Sequence, residues 1–264
     1  MVELAVIGGT GVYDPDILVD LREIEVETPY GPPVKLTTGI YEGKEVAFLP
    51  RHGSKHGVPP HKINYRANMA ALKKIGVKRV YATAAVGSMN RDMKPGEAVL
   101  LDQFIDFTKS RITTYYDGGE AGVVHTDFTE PYCSELRGIM IAAAKEEGVI
   151  LHERGTYICT EGPRFETSAE IRLFSSWGAD VVGMTNVPEV TLARELGLCY
   201  CTIALVTNFA AGIAGKILTH QEVLEAMANN IINLRKLLAR GIRNTGTATC
   251  RCSSFGTPVS LTRE

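Results

Sequence analysis

Short, nearly continuous apolar runs recur along this chain, and between several of them the apolar positions fall at every third or fourth residue. The first pattern predicts strands covered on both faces; the second predicts helices with one apolar stripe. Strands are expected at Val2–Gly9, Glu45–Leu49, Val80–Val86, Ala98–Phe107, Thr156–Thr160, Val181–Met184 and Leu198–Val206. A helix is expected over His61–Ile75, where Ile63, Ala67, Ala70, Ala71 and Ile75 share a face and Gly76 stops it. Another spans Ser134–Glu147, with Ser134 as cap, Ile139, Ala142 and Ala143 on one face, and Gly148 at its end. Shorter helices are expected at Ser168–Trp177 and Pro188–Leu196. The last helix, His220 to Arg243, carries Leu224, Met227, Ile231, Leu234 and Leu238 at three- and four-residue steps. That stripe reads as core packing, because about three heptads are too few for a persistent coiled coil. Strand and helix signals in alternation predict an α/β sheet with crossover helices.

The chain has 264 residues and 45% hydrophobic content, enough to bury roughly three quarters of its unfolded surface. No linker or repeat divides it, so one domain is expected over 1–243. Residues 244–264 lose the apolar period, become rich in Thr, Ser and Gly, and read as a surface-laid tail. A net charge of −2 supplies no basic field for a polyanion, which argues against nucleic acid as a partner. The N-terminus has no secretory signature, and no apolar run approaches the ~18 residues of a membrane span. A soluble cytoplasmic protein, with no membrane partner, is the expectation.

Several strand ends carry small, polar and flexible residues, where α/β proteins hold ligands. Val6–Asp14 (VIGGTGVYD) places Gly8, Gly9 and Gly11 around Thr10, so backbone N–H groups can approach an anion. The spacing is not G-x-G-x-x-G and no helix opens after it, which weighs against a dinucleotide site. Phe48–Gly57 (FLPRHGSKHG) delivers Arg51 and His52 into a loop, a planar fork and a further donor for phosphate. His52 and His56 lack the helix and glutamate of a zincin, so no metal is assigned there. Thr83–Met89 (TAAVGSM) can aim the N–H of Ala85 at the same ligand.

The motifs GGTG, RHG, GPRFET (Gly162–Thr167), GMTNVPEV (Gly183–Val190) and VTN (Val206–Asn208) stand in an order that resembles the purine nucleoside phosphorylase and methylthioadenosine phosphorylase family of trimeric type, from Val6 to about Arg240. The resemblance implies a single-domain, three-layer α/β/α fold on a central mixed sheet, and that Thr10, Arg51, His52, Ala85 and Thr185 hold orthophosphate. It also implies that Met184 lies against the ribose and Phe165 against the purine. Where 6-aminopurine enzymes have Asp-x-Asp and a serine, this chain has Asn208, Ala210 and Glu166, the 6-oxopurine pattern. A carboxylate at Glu166 accepts from N1–H and a 2-amino group but repels adenine's bare N1; Asn208 can follow the proton gained at N7 as the base departs. His220, in THQEV, matches the histidine that bonds the ribose 5′-hydroxyl, whereas methylthio-nucleoside enzymes tend to be apolar there. His125 resembles a residue that closes the sugar pocket of a neighbouring subunit, which implies a homo-oligomer, trimer or hexamer.

The implied reaction is phosphorolysis of inosine or guanosine to free base and ribose 1-phosphate, catalysed by Asn208, Glu166 and His220. Orthophosphate is co-substrate, and no organic cofactor or metal is implied. Rival readings are a methylthioadenosine or methylthioinosine phosphorylase and, from another class, a noncatalytic purine-binding protein. Cys199 and Cys201 share a face of an expected strand, while Cys250 and Cys252 form a C-x-C pair in the tail. Free thiols and structural disulfides both remain open for them. Zinc would want four ligands, typically with C-x-x-C spacing. The C-x-C tail is similar to the ends of family members from heat-loving archaea.

Overall fold

In the computed structural model, residues 2–8, 18–53, 57–119, 122–214, 220–247, 249–256 and 261 are described, the side chains of 220–230 excepted. The strands are β1 (Leu4–Gly8), β2 (Val19–Thr28), β3 (Gly31–Tyr41), β4 (Lys44–Pro50), β5 (Arg79–Ser88), β6 (Ala98–Leu100), β7 (Gln103–Phe107), β8 (Leu151–His152), β9 (Thr156–Thr160), β10 (Val181–Gly183) and β11 (Cys199–Phe209). The helices are α1 (Tyr65–Lys74), α2 (Ser134–Glu147), α3 (Ser168–Ser176), α4 (Asn186–Glu195) and α5 (His220–Asn244). All the strands join one sheet, and its direction is mixed. β1 pairs in parallel with β4 and β5, and β5 with β11. β2, β3 and β4 form an antiparallel meander at one side, while β10 and β6 run against β5 and β11.

The period-two alternation of the central strands divides the core into two layers. On β11, Tyr200, Ala204 and Val206 pack with α1 and α4 on one face. Cys199, Cys201 and Ile203 pack with α2 and α5 on the other. β1 splits in the same way, Ala5 and Ile7 against Leu4 and Val6. Each fully buried Leu, Ile or Val contributes about 1.5–3 kcal/mol, so strands buried on both faces anchor the sheet. α3 seals a smaller cluster, in which Ile171 and Phe174 meet Ile158, Val182 and Ala210. The three-layer α/β/α arrangement on a mixed sheet is therefore the observed one.

Several local expectations are corrected. Ala98–Phe107 is two strands: β6 pairs with β11 and β8, β7 with β9, and Leu101–Asp102 is the break between them. α1 begins at Tyr65 because Asn64 caps it, its side chain accepting from the Ala67 N–H at 3.0 Å; Pro60–Lys62 forms a separate 3-10 turn. α2 is capped by Cys133, whose sulfur accepts from the Leu136 N–H, so Ser134 is its first helical residue. Its buried face is Leu136, Met140, Ala143 and Ala144; Ala142 is exposed. Gly148 does end α2, in the left-handed conformation at φ 64°. The tail is not simply laid on the surface: Cys252 is buried, and Gly256 sits so close to Gly197 that a Cβ on either glycine would meet the other's backbone at 2.9–3.0 Å. Among the described residues no helix is long and apolar enough to cross a membrane.

Candidate active site

The parallel strands β1, β4, β5 and β11 end at one edge of the sheet, and β10, which runs against β5, starts beside that edge with Val181 opposite Ser88 and Val182 opposite Gly87. Gly8 ends β1 beside Pro50 at the end of β4, and the N–H of Arg51 donates to the Gly8 carbonyl at 3.1 Å. The glycine loop that follows, with Thr10, lies outside the described residues. The Arg51 side chain is buried. Its Nε and Nη2 donate to the two oxygens of Glu189, both at 2.7 Å, and its Nη1 donates to the Thr83 carbonyl at 2.8 Å. Tyr200 donates to the same Glu189 carboxylate at 2.6 Å. Burial alone would lower the Arg51 pKa; the charge and hydrogen bonds of Glu189 more than reverse this and hold it above the ordinary value. The bidentate edge of the fork is thus engaged by Glu189, and a phosphate can use only the N–H that each terminal nitrogen has left. His52, half-buried, has Nδ1 2.9 Å from the Val58 carbonyl, which fixes the plane of the ring.

Ala85 is exposed on β5 while Ala84 beside it is buried, so at Ala85 the backbone of this strand reaches solvent. Two positions on, Gly87 is flanked by Asn208 of β11 on one side and Val182 of β10 on the other. A Cβ there would meet Asn208 Nδ2 at 3.2 Å and Val182 Cγ1 at 3.4 Å, so glycine lets both strands close in. The β5–β11 register shifts between Val206 and Asn208, a bulge that leaves Thr207 outside the ladder and re-aims the residue after it. The Thr207 hydroxyl donates to Asn208 Oδ1 at 2.7 Å, and Asn208 Nδ2 donates to the Phe209 carbonyl at 2.9 Å. Asn208 is half-buried at this rim.

Beyond β10 lies the end of β9, and there the hydroxyl of Thr160 donates to Glu166 Oε1 at 2.6 Å. Burial pushes the Glu166 carboxyl above its ordinary pKa, and the Thr160 hydroxyl opposes this only in part. The turn after β11 meets the start of α3: Gly212 packs so closely on Ser168 that a Cβ would meet its Oγ at 2.7 Å. Phe165, next to the carboxylate in sequence, is 39% exposed. Met184 is half-buried, and its sulfur lies where a Cβ on Gly162 would stand, at 2.6 Å. Gly162 has φ 66°, a conformation open to glycine, which allows the GPRFE loop to settle on Met184. Thr185 is buried at the N-cap of α4, where its side chain makes no capping bond, and its N–H donates to the Tyr157 hydroxyl at 3.1 Å.

Arg51 and His52 thus follow β4, Ala85 lies on β5 and Asn208 on β11, while Met184 and Thr185 follow β10 and Phe165 and Glu166 lie in the loop after β9, with β10 flanking β5 at Gly87. His125 is exposed in a stretch without regular structure. His220 is the first residue of α5, and its side chain lies outside the described atoms. Sequence reasoning missed two contributors. Glu189 stands inside the quoted motif VPEV, and a carboxylate amid an apolar run was a signal of a buried partner. Arg111 gave no signal, because it acts on main chain: it donates to the carbonyls of Val187 at 2.5 Å, Thr160 at 3.1 Å and Glu161 at 2.8 Å. Those bonds tie the end of β9 to the start of α4, and so the Glu166 loop to the helix that carries Glu189.

A buried Arg51 guanidinium, a Glu166 carboxylate after β9 and an Asn208 carboxamide on β11 mark the candidate active site of an α/β enzyme. The profile of the Phosphorylase superfamily matches residues 3–243, and the chain belongs to that family. It is 61% identical over 236 residues to the "Probable 6-oxopurine nucleoside phosphorylase" of Dictyoglomus turgidum, covering 89% of each chain. To the S-methyl-5'-thioadenosine phosphorylase of Thermofilum pendens it is 50% identical over 239 residues, 90% of each chain. Among solved structures, methylthioadenosine phosphorylase from Schistosoma mansoni in complex with adenine superimposes with a TM-score of 0.87 at 35% identity, over 92% of this chain and 91% of that one.

Proposed function

We propose that this pentosyltransferase cleaves 6-oxopurine nucleosides, inosine and guanosine, with orthophosphate, giving free base and ribose 1-phosphate. The observation that carries the reading is the pair at the rim: a Glu166 carboxylate braced by Thr160, and an Asn208 carboxamide turned by a bulge at the end of β11. The similarity to relatives named for 6-oxopurine nucleosides supports the same substrate class.

The reaction exchanges one bond to the anomeric carbon for another. A phosphate oxygen, held by Arg51, His52, Ala85 N–H and Thr185 with the Thr10 loop, forms the new C1′–O bond. The C1′–N9 bond breaks, its electron pair leaves with the purine, and N7 takes a proton from solvent. Asn208 accepts from that N7–H and donates to O6, contacts that strengthen as charge moves into the ring. Glu166 accepts from N1–H. Adenine presents an acceptor at N1, and leaving the carboxylate unpaired against it costs on the order of 1–3 kcal/mol, a tens-fold discrimination. His220 bonds the ribose 5′-hydroxyl, and no cofactor beyond the co-substrate is needed. The enzyme works as a homo-oligomer in the cytoplasm, with His125 reaching a neighbour's sugar pocket.

A phosphate-dependence assay tests the reading. Inosine should yield hypoxanthine and ribose 1-phosphate in equal amounts only when phosphate is present; base binding without turnover would favour a purine-binding protein instead. The methylthio rival is separated by His220→Leu. Loss of inosine activity with methylthio-nucleoside activity retained supports the assigned role, and equal loss of both opposes it.

A further inference from the structure

At the opposite end of β11 from Asn208, four cysteines converge from three parts of the chain. Cys133 caps α2, Cys199 opens β11, and Cys250 and Cys252 come from the segment after α5. Their sulfurs all lie within 4.8 Å of one another, and Cys199 Sγ is 3.3 Å from Cys250 Sγ. Cys133, Cys199 and Cys252 are buried and Cys250 is half-buried. We propose that this quartet is a structural tetrathiolate site for a thiophilic d10 cation, zinc in the first instance, which clasps the C-terminal segment to β11 and α2.

The spacing fits the ion. Four sulfurs at about 2.3 Å from a tetrahedral zinc stand about 3.8 Å from each other, inside the observed envelope. A quartet in which every sulfur is near every other is the geometry of one shared centre, whereas two independent bridges need only two close pairs. The surroundings suit thiolates. Cys133 sits at the N-terminus of α2, where the helix end favours negative charge, and its sulfur accepts from the Leu136 N–H at 3.5 Å. Its own N–H donates to the Tyr200 carbonyl at 2.8 Å, so the strand that supplies Cys199 also fixes the backbone of Cys133.

The C-x-C pair is held in place by a carboxylate on α2. Glu135 accepts from the Thr249 N–H at 2.7 Å, the Thr249 hydroxyl at 2.9 Å and the Cys250 N–H at 2.8 Å. Past the pair, the ring of Phe255 lies 3.6 Å beneath the Arg194 guanidinium. This much fastening around a Thr-, Ser- and Gly-rich segment has an evident purpose if the segment supplies two ligands. Cys201, on the same face as Cys199, is outside the quartet, as is Cys159. C-x-x-C spacing is not needed here, because the third and fourth ligands come from α2 and β11. Binding exchanges four S–H protons for one divalent cation with no change of oxidation state, so affinity rises with pH. The quartet and the purine rim lie at opposite ends of an eleven-residue strand, about 30 Å apart, so the metal acts on stability and not on the chemistry.

The test uses the full-length protein purified anaerobically and dialysed without chelator. About one equivalent of zinc per chain is expected, and cobalt substitution should give the visible bands of tetrahedral cobalt and the near-ultraviolet charge transfer of cobalt thiolate. Denaturation with chelator but no reductant should then expose all six cysteines to alkylation. In Cys250→Ser/Cys252→Ser the metal and the cobalt spectrum should be lost and Tm should fall, while kcat/KM for inosine at 25 °C stays within about twofold of the parent. Failure to retain zinc or cobalt after reconstitution would overturn the proposal. So would alkylation of only Cys159 and Cys201 before reduction, since that means the quartet is two disulfides. Should the double variant fail to fold, metal content and thiol count on the parent protein still decide.

Discussion

Glu166 carries two opposed demands that can be measured separately. Its pKa is raised by burial, so the folded state favours the protonated form. Its contribution to stability is therefore full below the ordinary carboxylate pKa and is lost as pH rises through the raised one. Recognition of N1–H needs the ionised form. The acid limb of kcat/KM for inosine should accordingly lie above the ordinary carboxylate range, and the inosine-to-adenosine ratio should grow with pH across it. Glu166→Gln should cut kcat/KM for inosine about ten- to hundredfold and leave Tm at neutral pH unchanged or higher; a fall in both would mean that the carboxylate is structural. Glu189 serves the Arg51 guanidinium instead. Replacing it by glutamine leaves the buried Arg51 guanidinium without its counter-charge, a loss of about 3–5 kcal/mol in denaturant titrations, and it should raise KM for phosphate more than it changes KM for inosine. At this scale the sequence was readable wherever a residue stands in a motif, as Glu166 and Asn208 do. It was unreadable where a role is defined by distant partners. Arg51 was assigned its whole fork for phosphate, and only the fold shows Glu189 and Tyr200 holding one edge of it.

The element that aims the site is the bulged end of β11 against β5. Gly87→Ala would press a Cβ toward the Asn208 amide at 3.2 Å and the Val182 side chain at 3.4 Å, so the two strands must part by a few tenths of an ångström. We expect kcat for inosine to drop about tenfold with a Tm change of only a few degrees, measured side by side with the parent; unchanged kcat would separate Asn208 from the departing base. Strands buried on both faces announced themselves as apolar runs, which is why β1, β5, β9 and β11 were found. β2 was missed because most of it is exposed and polar, and it is held by pairing with β3 more than by burial. The break between β6 and β7 was missed for another reason: Leu101 continues the apolar run and its N–H still donates to the Thr202 carbonyl of β11, whereas from Gln103 the chain pairs with β9. α2 was found at its full span, Ser134–Glu147, but its cap was placed one residue late because cysteine is an uncommon cap, and its sulfur does here what a serine hydroxyl ordinarily does.

For the whole molecule, the two-layer core supports a rim whose parts come from β1, β4, β5, β9, β10 and β11. No single segment makes the site: the α/β alternation was legible in the sequence, whereas the order that sets β5 and β10 between β11, which carries Asn208, and β9, which precedes Glu166, is a property of the sheet. The exposed His125 extends the question to the assembly. If it completes a neighbour's pocket, mixing inactive His125→Ala and Asn208→Ala chains and letting subunits exchange should recover part of the parent activity; two variants that stay inactive when mixed would confine each site to one chain. The most direct measurement of the central claim is kcat/KM for inosine, guanosine, adenosine and methylthioadenosine at saturating phosphate and neutral pH. The account expects inosine and guanosine to lead adenosine and methylthioadenosine by at least about tenfold. A lead for the two adenine nucleosides would contradict the roles given to Glu166 and Asn208.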